Sequence, residues 1–272
     1  EITGALLAES APLVLCSGLG VVLRGRVRSH ADQVTALLAH DHPDVRSAAL
    51  QAGLALGRRE AAEAGRRWCV DGGETAVGAL EWVPLASDHE LLPALYEALG
   101  GAHARVACLA LGRLGRPEAA EALLETAASA PATARAAGCA LALLFGLDLH
   151  AQKLELPAEA RPTPADEFAL DPDEDLPWPD PPKLAAAVRE AVVRAPQGQR
   201  LRLGLSWSQA ALDSEIIEGC LLDREAALRE SYLRNPQTVW KEPRAWTTHQ
   251  VSASVSGSNR GEATAPAARS NP

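Results

Sequence analysis

The sequence predicts an all-α protein: an α-solenoid of stacked helix pairs, then an acidic proline-rich linker and a small, mainly helical C-terminal region. Three observations predict it. The chain is 47% hydrophobic but only 4% aromatic. Its core is therefore built from Ala, Leu and Val, which suits closely packed helices and not the aromatic and β-branched mix that sheets favour. The second observation is the stretch HPDVRSAALQAGLALG at residues 42–57. A turn-forming His-Pro-Asp precedes Val45 and Arg46, and Ala48, Ala49, Ala52 and Leu56 then share one helical face. The third is that this stretch recurs. Aligning Arg46 with Arg105 sets Gly53 over Gly112 and Ala48 over Ala107, and Arg135 opens a further copy with Ala137 and Gly146 in the places of Ala48 and Gly57. The first gap between these arginines is nearly twice the second, so a hidden copy is expected near residue 76. Residues 74–86 (ETAVGALEWVPLA) are helical in pattern there but lack the arginine. A period of about 30 residues marks stacked helix pairs that bury their apolar faces on one another.

In chain order, residues 1–30 read as an N-terminal cap or degenerate repeat, interrupted at Pro12, Gly18 and Gly20. Ser29 is placed to cap a helix over 31–39, the first member of the pair completed by 44–57. Residues 91–99 form the first helix of a later pair, with Asp88 as its candidate cap and Pro93 in its first turn, where proline is tolerated. Residues 117–128 open on a proline in the same way. The repeats thus span 31–150. From 151 to 182 prolines and carboxylates exclude regular helix, and 155–175 reads as a solvated, extended linker. Within 183–250 a helix is expected over 183–195, apolar at Leu184, Val188, Ala191 and Val192. A short extended segment (GQRLRLGL) follows at 198–205. Ser206 or Ser208 then caps a helix with Leu212, Ile216 and Ile217 inward, and another runs from Asp223 to a stop at Asn235-Pro236. The Ser/Ala/Gly/Pro tail, 251–272, reads as disordered.

The string Asp-His-Pro-Asp-Val-Arg-Ser-Ala-Ala-Leu-Gln-Ala from Asp41 resembles the second-helix signature of HEAT repeats, with Asp41, Arg46, Gly53, Arg105, Gly112 and Arg135 at repeat positions. A second resemblance lies at 171–250. DPDEDLPWPDPPKLAAAV, then Gln199-Arg200-Leu201-Arg202-Leu203-Gly204 and an Arg-Glu-Ala-Ala-Leu helix, is similar to the C-terminal region of an uncharacterised bacterial HEAT-repeat family often encoded beside type VI secretion components. The chain departs from that family at 186–188, where a Trp is usual, and has a thinner arginine string near Asp223. The resemblance implies an α-solenoid and a secretion setting, and says little about chemistry.

Chemistry is sparse. His40-Asp41-His42 offers ligands two residues apart, but the turn role of His-Pro-Asp accounts for it without a metal. Asp173-Glu174-Asp175 lacks the spacing and glycine of a calcium loop and reads as a solvated charge run. No nucleophile elbow or phosphate loop appears, so no cofactor, metal or catalytic residue is assigned and the chain is read as non-enzymatic. The five cysteines form no C-x-x-C pair. Cys108 and Cys139 fall at small apolar repeat positions, and reduced thiols point to the cytoplasm. Leu13-Val14-Leu15-Cys16 lacks the small residue a lipoprotein signal needs before its cysteine. A net charge of −9 disfavours non-specific nucleic-acid binding, which needs clustered cations, and no apolar run is long enough for a membrane span.

The partner is therefore expected to be another protein. Arg46, Arg105 and Arg135 are read as a ladder bonding carboxylates or carbonyls of the adjacent turn, since Asp41 and Asp44 flank Arg46; a row of cations along a binding face is the competing reading. Leu176, Pro177, Trp178, Pro179 and Asp180 are the candidate partner-binding residues, because a Trp between prolines docks onto a surface and fixes the chain entering a helix. The function expected is an interaction scaffold, an adaptor or chaperone-like factor of type VI secretion that holds an effector or spike component. The alternative is an immunity protein whose acidic surface mimics nucleic acid toward a toxin. A glycosylase-like enzyme on the same scaffold needs a basic, aromatic-lined groove, which this composition disfavours.

Overall fold

The computed structural model describes residues 2–86, 89–162, 171–196, 198–219 and 221–242. Among them are thirteen α-helices and one two-stranded antiparallel hairpin. The helices are α1 (Ile2–Leu7), α2 (Pro12–Gly25), α3 (Ala31–Leu37), α4 (Pro43–Ala55), α5 (Arg59–Asp71), α6 (Ala76–Ala86), α7 (Leu92–Leu99), α8 (Ala104–Leu114), α9 (Ala120–Ser129), α10 (Pro131–Phe145), α11 (Pro181–Arg194), α12 (Gln209–Glu218) and α13 (Leu221–Arg234). The hairpin strands are β1 (Leu201–Arg202) and β2 (Leu205–Ser206), paired in the register Leu201 with Ser206 and Arg202 with Leu205.

The helices pack in order. α2, α4, α6, α8 and α10 each touch the next in that series, while α1, α3, α5, α7 and α9 pack on α2, α4, α6, α8 and α10 respectively. Each of α2, α4, α6, α8 and α10 carries a fully buried leucine at the corresponding place: Leu19, Leu50, Leu80, Leu111 and Leu141. Their spacing of about 30 residues is the repeat period in packing terms, and each contributes ~1.5–3 kcal/mol of burial. Small residues set the separation. A Cβ on Gly112 would lie 2.8 Å from Ala140 Cα, so α8 and α10 approach as closely as a glycine allows. α11 packs on α9 and α10 and closes the series.

The N-terminal stretch departs from expectation. Pro12 opens α2 instead of breaking it, because the first turn needs no proline N–H. Gly18 stays inside α2, where a Cβ would meet Leu6 Cβ at 3.0 Å; it is an approach point for α1 and not a stop. Ser29 caps nothing: it lies in a 3₁₀ turn, Arg28–His30, that runs directly into α3. The helix at α5 has its own apolar face (Ala61, Ala64, Cys69 buried) and supplies the first helix of the hidden pair completed by α6. Asp88 and the 251–272 tail lie outside the described residues.

The C-terminal module does not stand apart. α12 and α13 pair through Leu212, Ile216, Ala227 and Leu228, but α13 also packs on α6 and α4. Leu201 and Tyr232 belong to the same apolar cluster as the repeat leucines. Ile217 does not point inward with Leu212 and Ile216: it is 46% exposed, and on the α12 side the contact with α13 is made by Leu212 and Ile216. Among the described residues no helix is long and apolar enough to cross a membrane.

Candidate functional site

Arg46, Arg105 and Arg135 each sit in the first turns of an even-numbered helix, and their partners differ. Arg46 Nη1 donates to the carbonyls of His40 (2.9 Å) and Asp41 (2.7 Å), the local ladder expected of it. Arg105 reaches further: Nε (2.9 Å) and Nη2 (2.6 Å) both donate to Asp173 Oδ1, and Nη2 also to the Pro172 carbonyl at 3.3 Å. Arg135 pairs with Asp171. The adjacent-turn ladder thus fails at two of its three positions, where the carboxylates come from far along the chain.

Within the acidic run Glu174 and Asp175 are exposed, as a solvated charge run requires, but Asp173 is only 2% exposed. Its burial is tolerated because a guanidinium meets it at hydrogen-bond distance and the charge is not left alone. Asp171 Oδ1 accepts from the Asp173 N–H (2.9 Å), shaping the turn that points both carboxylates at the arginines. The hydrogen bond from Arg135 holds the Asp171 carboxyl below the ordinary carboxylate range. Downstream, Trp178 lies under the Arg135 guanidinium, 4.6 Å from ring centroid to Cζ, a cation–π contact. Pro179 is buried against Gly138, whose added Cβ would meet it at 3.1 Å. The Trp178 carbonyl accepts from Leu156 N–H (2.9 Å) and Asp180 N–H donates to Leu154 O (2.7 Å), so the segment lies extended beside 154–156. Leu176 and Pro177 are half-buried. Asp180 caps α11 through Lys183 N–H (3.3 Å) and pairs with Lys183 Nζ (2.8 Å); that contact lowers its pKa. The five residues singled out for a partner are therefore seated on their own chain.

A second assembly forms where α8 and α10 end. The last carbonyls of a helix lack intrahelical donors, and here the Gln-Arg-Leu-Arg-Leu-Gly stretch supplies them. Arg200 donates to Leu114 O (2.7 Å) and Arg113 O (2.8 Å), Leu201 N–H to Gly115 O (2.7 Å), Leu203 N–H to Leu143 O (2.8 Å) and Gly204 N–H to Leu144 O (3.1 Å). Two cations at a helix C-terminus also oppose its negative pole. Leu203 and Gly204 both have positive φ (52° and 75°), as a two-residue hairpin turn requires. Beneath the hairpin, Arg202 is fully buried and grips Glu215 with Nε and Nη2, the latter at 2.8 Å, while Nη1 lies 3.3 Å from Glu230. Glu230 also receives Arg200, Arg234 and the Trp207 indole N–H. Desolvation pushes the Glu215 carboxyl up to about 7 against the pull of Arg202. Burial works against the Arg202 charge too, but the two carboxylates outweigh it and raise its pKa.

Sequence reasoning placed an extended segment here without its role. The alternation of basic and apolar residues was legible, but Glu215 and Glu230 carry no local signal that they are its counter-charges.

A third feature is a cleft of about 230 Å³ between α2, α4, α6 and α13, lined by Cys16, Gln51, Trp82, Arg229, Trp240 and Glu242 among others. The rings of Trp82 and Trp240 are parallel with centroids 6.4 Å apart, and Tyr232 meets Trp240 edge-on at 5.2 Å. Tyr232 Oη donates to Leu23 O, and the Arg26 guanidinium lies 3.9 Å above the Tyr232 ring and donates to Asn235 O at 3.1 Å. These contacts fasten α13 to the end of α2. None was foreseen, because single aromatics far apart in sequence give no pattern.

His40 and His42 act in the turn before α4: His40 Nδ1 accepts from His42 N–H (3.0 Å) and His42 Nδ1 from Asp44 N–H (3.2 Å). Among the described residues no group of three His, Cys, Asp or Glu side chains is arranged to hold a metal ion. Burial pushes the Cys69 and Cys108 thiols up to about 12, far from nucleophilic range. Compared with protein-family models, curated proteins and solved structures, the chain has no significant match in any of the three.

Proposed function

We propose that this protein is a non-enzymatic interaction scaffold: a HEAT-like α-solenoid whose C-terminal module is bound along one side of its own helix stack. The observation that supports it best is the serial packing of α2, α4, α6, α8 and α10 with one partner helix each. Such an array offers an extended surface of the kind repeat proteins use to bind partners. By the resemblance of residues 171–250, the setting is type VI secretion in the cytoplasm of a bacterium, and the role is that of an adaptor or chaperone-like factor for an effector or spike component. The contacts of α13 with α4 and α6, and of the hairpin with the ends of α8 and α10, occupy part of the even-numbered helices. A partner thus meets either the odd-numbered helices or a surface the module shares.

The immunity reading relies on free acidic surface. Asp171 and Asp173 are engaged by Arg135 and Arg105, which favours the scaffold. Deletion in a host with an active secretion system tests the choice. The scaffold reading expects loss of effector export with no loss of resistance to neighbouring cells. Normal export combined with new sensitivity to one toxin would establish the immunity role instead.

A further inference from the structure

The contacts of residues 171–180 have the form of a bound peptide. No helix or strand runs through them. Two carboxylates meet two arginines, a Trp ring lies on one of those arginines, and a proline rests on a glycine that leaves room for it. The backbone is held by extended pairing to 154–156. Side-chain pockets read beside a paired backbone are the mode by which folded domains capture extended peptides. Asp173 and Pro179 are buried, but Leu176, Pro177 and Trp178 are half-buried and Asp171, Glu174 and Asp175 exposed, so the segment lies along the surface with two residues turned inward. Arg105 and Arg135 stand near the N-termini of α8 and α10, where the helix dipoles add to the preference for acid.

We propose that the groove formed by Arg105, Arg135 and Gly138 is a binding site for a partner's acidic peptide, one with two aspartates ahead of a proline-flanked tryptophan, and that residues 171–180 fill it in cis as a displaceable ligand. The proposal rests on the scaffold reading for the source of that peptide. Tethering gives the cis segment an effective concentration in the ~mM range, so it masks the groove against weak ligands and admits those that match it better. Removing the carboxylates that hold it should open the groove.

The test uses the full chain and a fluorescein-labelled synthetic peptide of sequence DPDEDLPWPD, followed by fluorescence anisotropy. The variant Asp171→Asn/Asp173→Asn is expected to bind the peptide about tenfold tighter than the unmodified chain. Arg105→Ala/Arg135→Ala, and a peptide with Asn at its first and third positions, should lose that binding. Asp171→Asn alone, at a half-exposed carboxylate, should give an intermediate gain, and it decides the matter if the double variant melts early. Equal peptide affinity in the unmodified chain and both aspartate variants, or binding undiminished without the arginines, overturns the proposal. Such a failure leaves the scaffold reading intact if the secretion phenotype persists. Loss of that phenotype alongside intact peptide binding would overturn the scaffold reading alone.

Discussion

Arg202 shows most sharply how a residue's meaning depends on what folds around it. It is fully buried between Glu215, Glu230 and the Arg113 carbonyl. Truncating one member of such a cluster leaves its partners charged and unpaired. Arg202→Ala should therefore destabilise the protein by about 3–5 kcal/mol in urea denaturation; a loss near zero would mean the two carboxylates are not held charged. Gly112 makes a steric prediction. Its missing Cβ would strike backbone atoms of Ala140, which no rotamer change relieves, so Gly112→Ala should cost about 1–3 kcal/mol through forced separation of α8 from α10. The glycine was legible as a repeat position, and so was the arginine at 105. Its carboxylate was not, because Asp173 lies far downstream and nothing local marks the pair.

At the scale of elements, α3, α4, α7 to α10 and α11 follow from apolar periodicity and proline placement, and the repeat period locates α6 even without its arginine. The misreadings share a cause. Prolines and carboxylates at 171–180 oppose helix, and that much was correct, but opposing helix does not mean remaining in solvent. Arg135 lowers the Asp171 pKa, and Lys183 lowers that of Asp180. As pH falls, the unfolded chain takes up these protons first. The stability these contacts contribute is therefore whole above the ordinary value of 3.8 and disappears as pH drops through the lower native values. Acidification below that point should release the segment before the helices melt. Trp178 fluorescence in a chain whose other tryptophans are replaced by phenylalanine should shift while helical circular dichroism holds. Coincident transitions would mean that the segment and the stack unfold as one.

For the whole molecule, the C-terminal module turns a serial stack into a tied one: Tyr232 and Arg26 fasten α13 to α2, and the hairpin caps the ends of α8 and α10. Amide exchange should show it. The N–H groups of Leu201 and Leu203, though outside any long element, bond to Gly115 just past α8 and to Leu143 in the last turn of α10, and should be protected to the level of those helices. Loop-like exchange there would show the module opening independently. The helical class, the period and the positions of α4, α6, α8 and α10 are readable from residue order alone, because they depend on neighbours one to four positions away and on a spacing that repeats; α2 and α5 are not, since neither carries the repeat's arginine string. Tertiary structure alone decided which distant carboxylate meets which arginine, that the last helix returns to the first repeats, and that Trp82 and Trp240 face each other. Those contacts join residues whose separation in the chain carries no regularity, and only the folded geometry sets their energies.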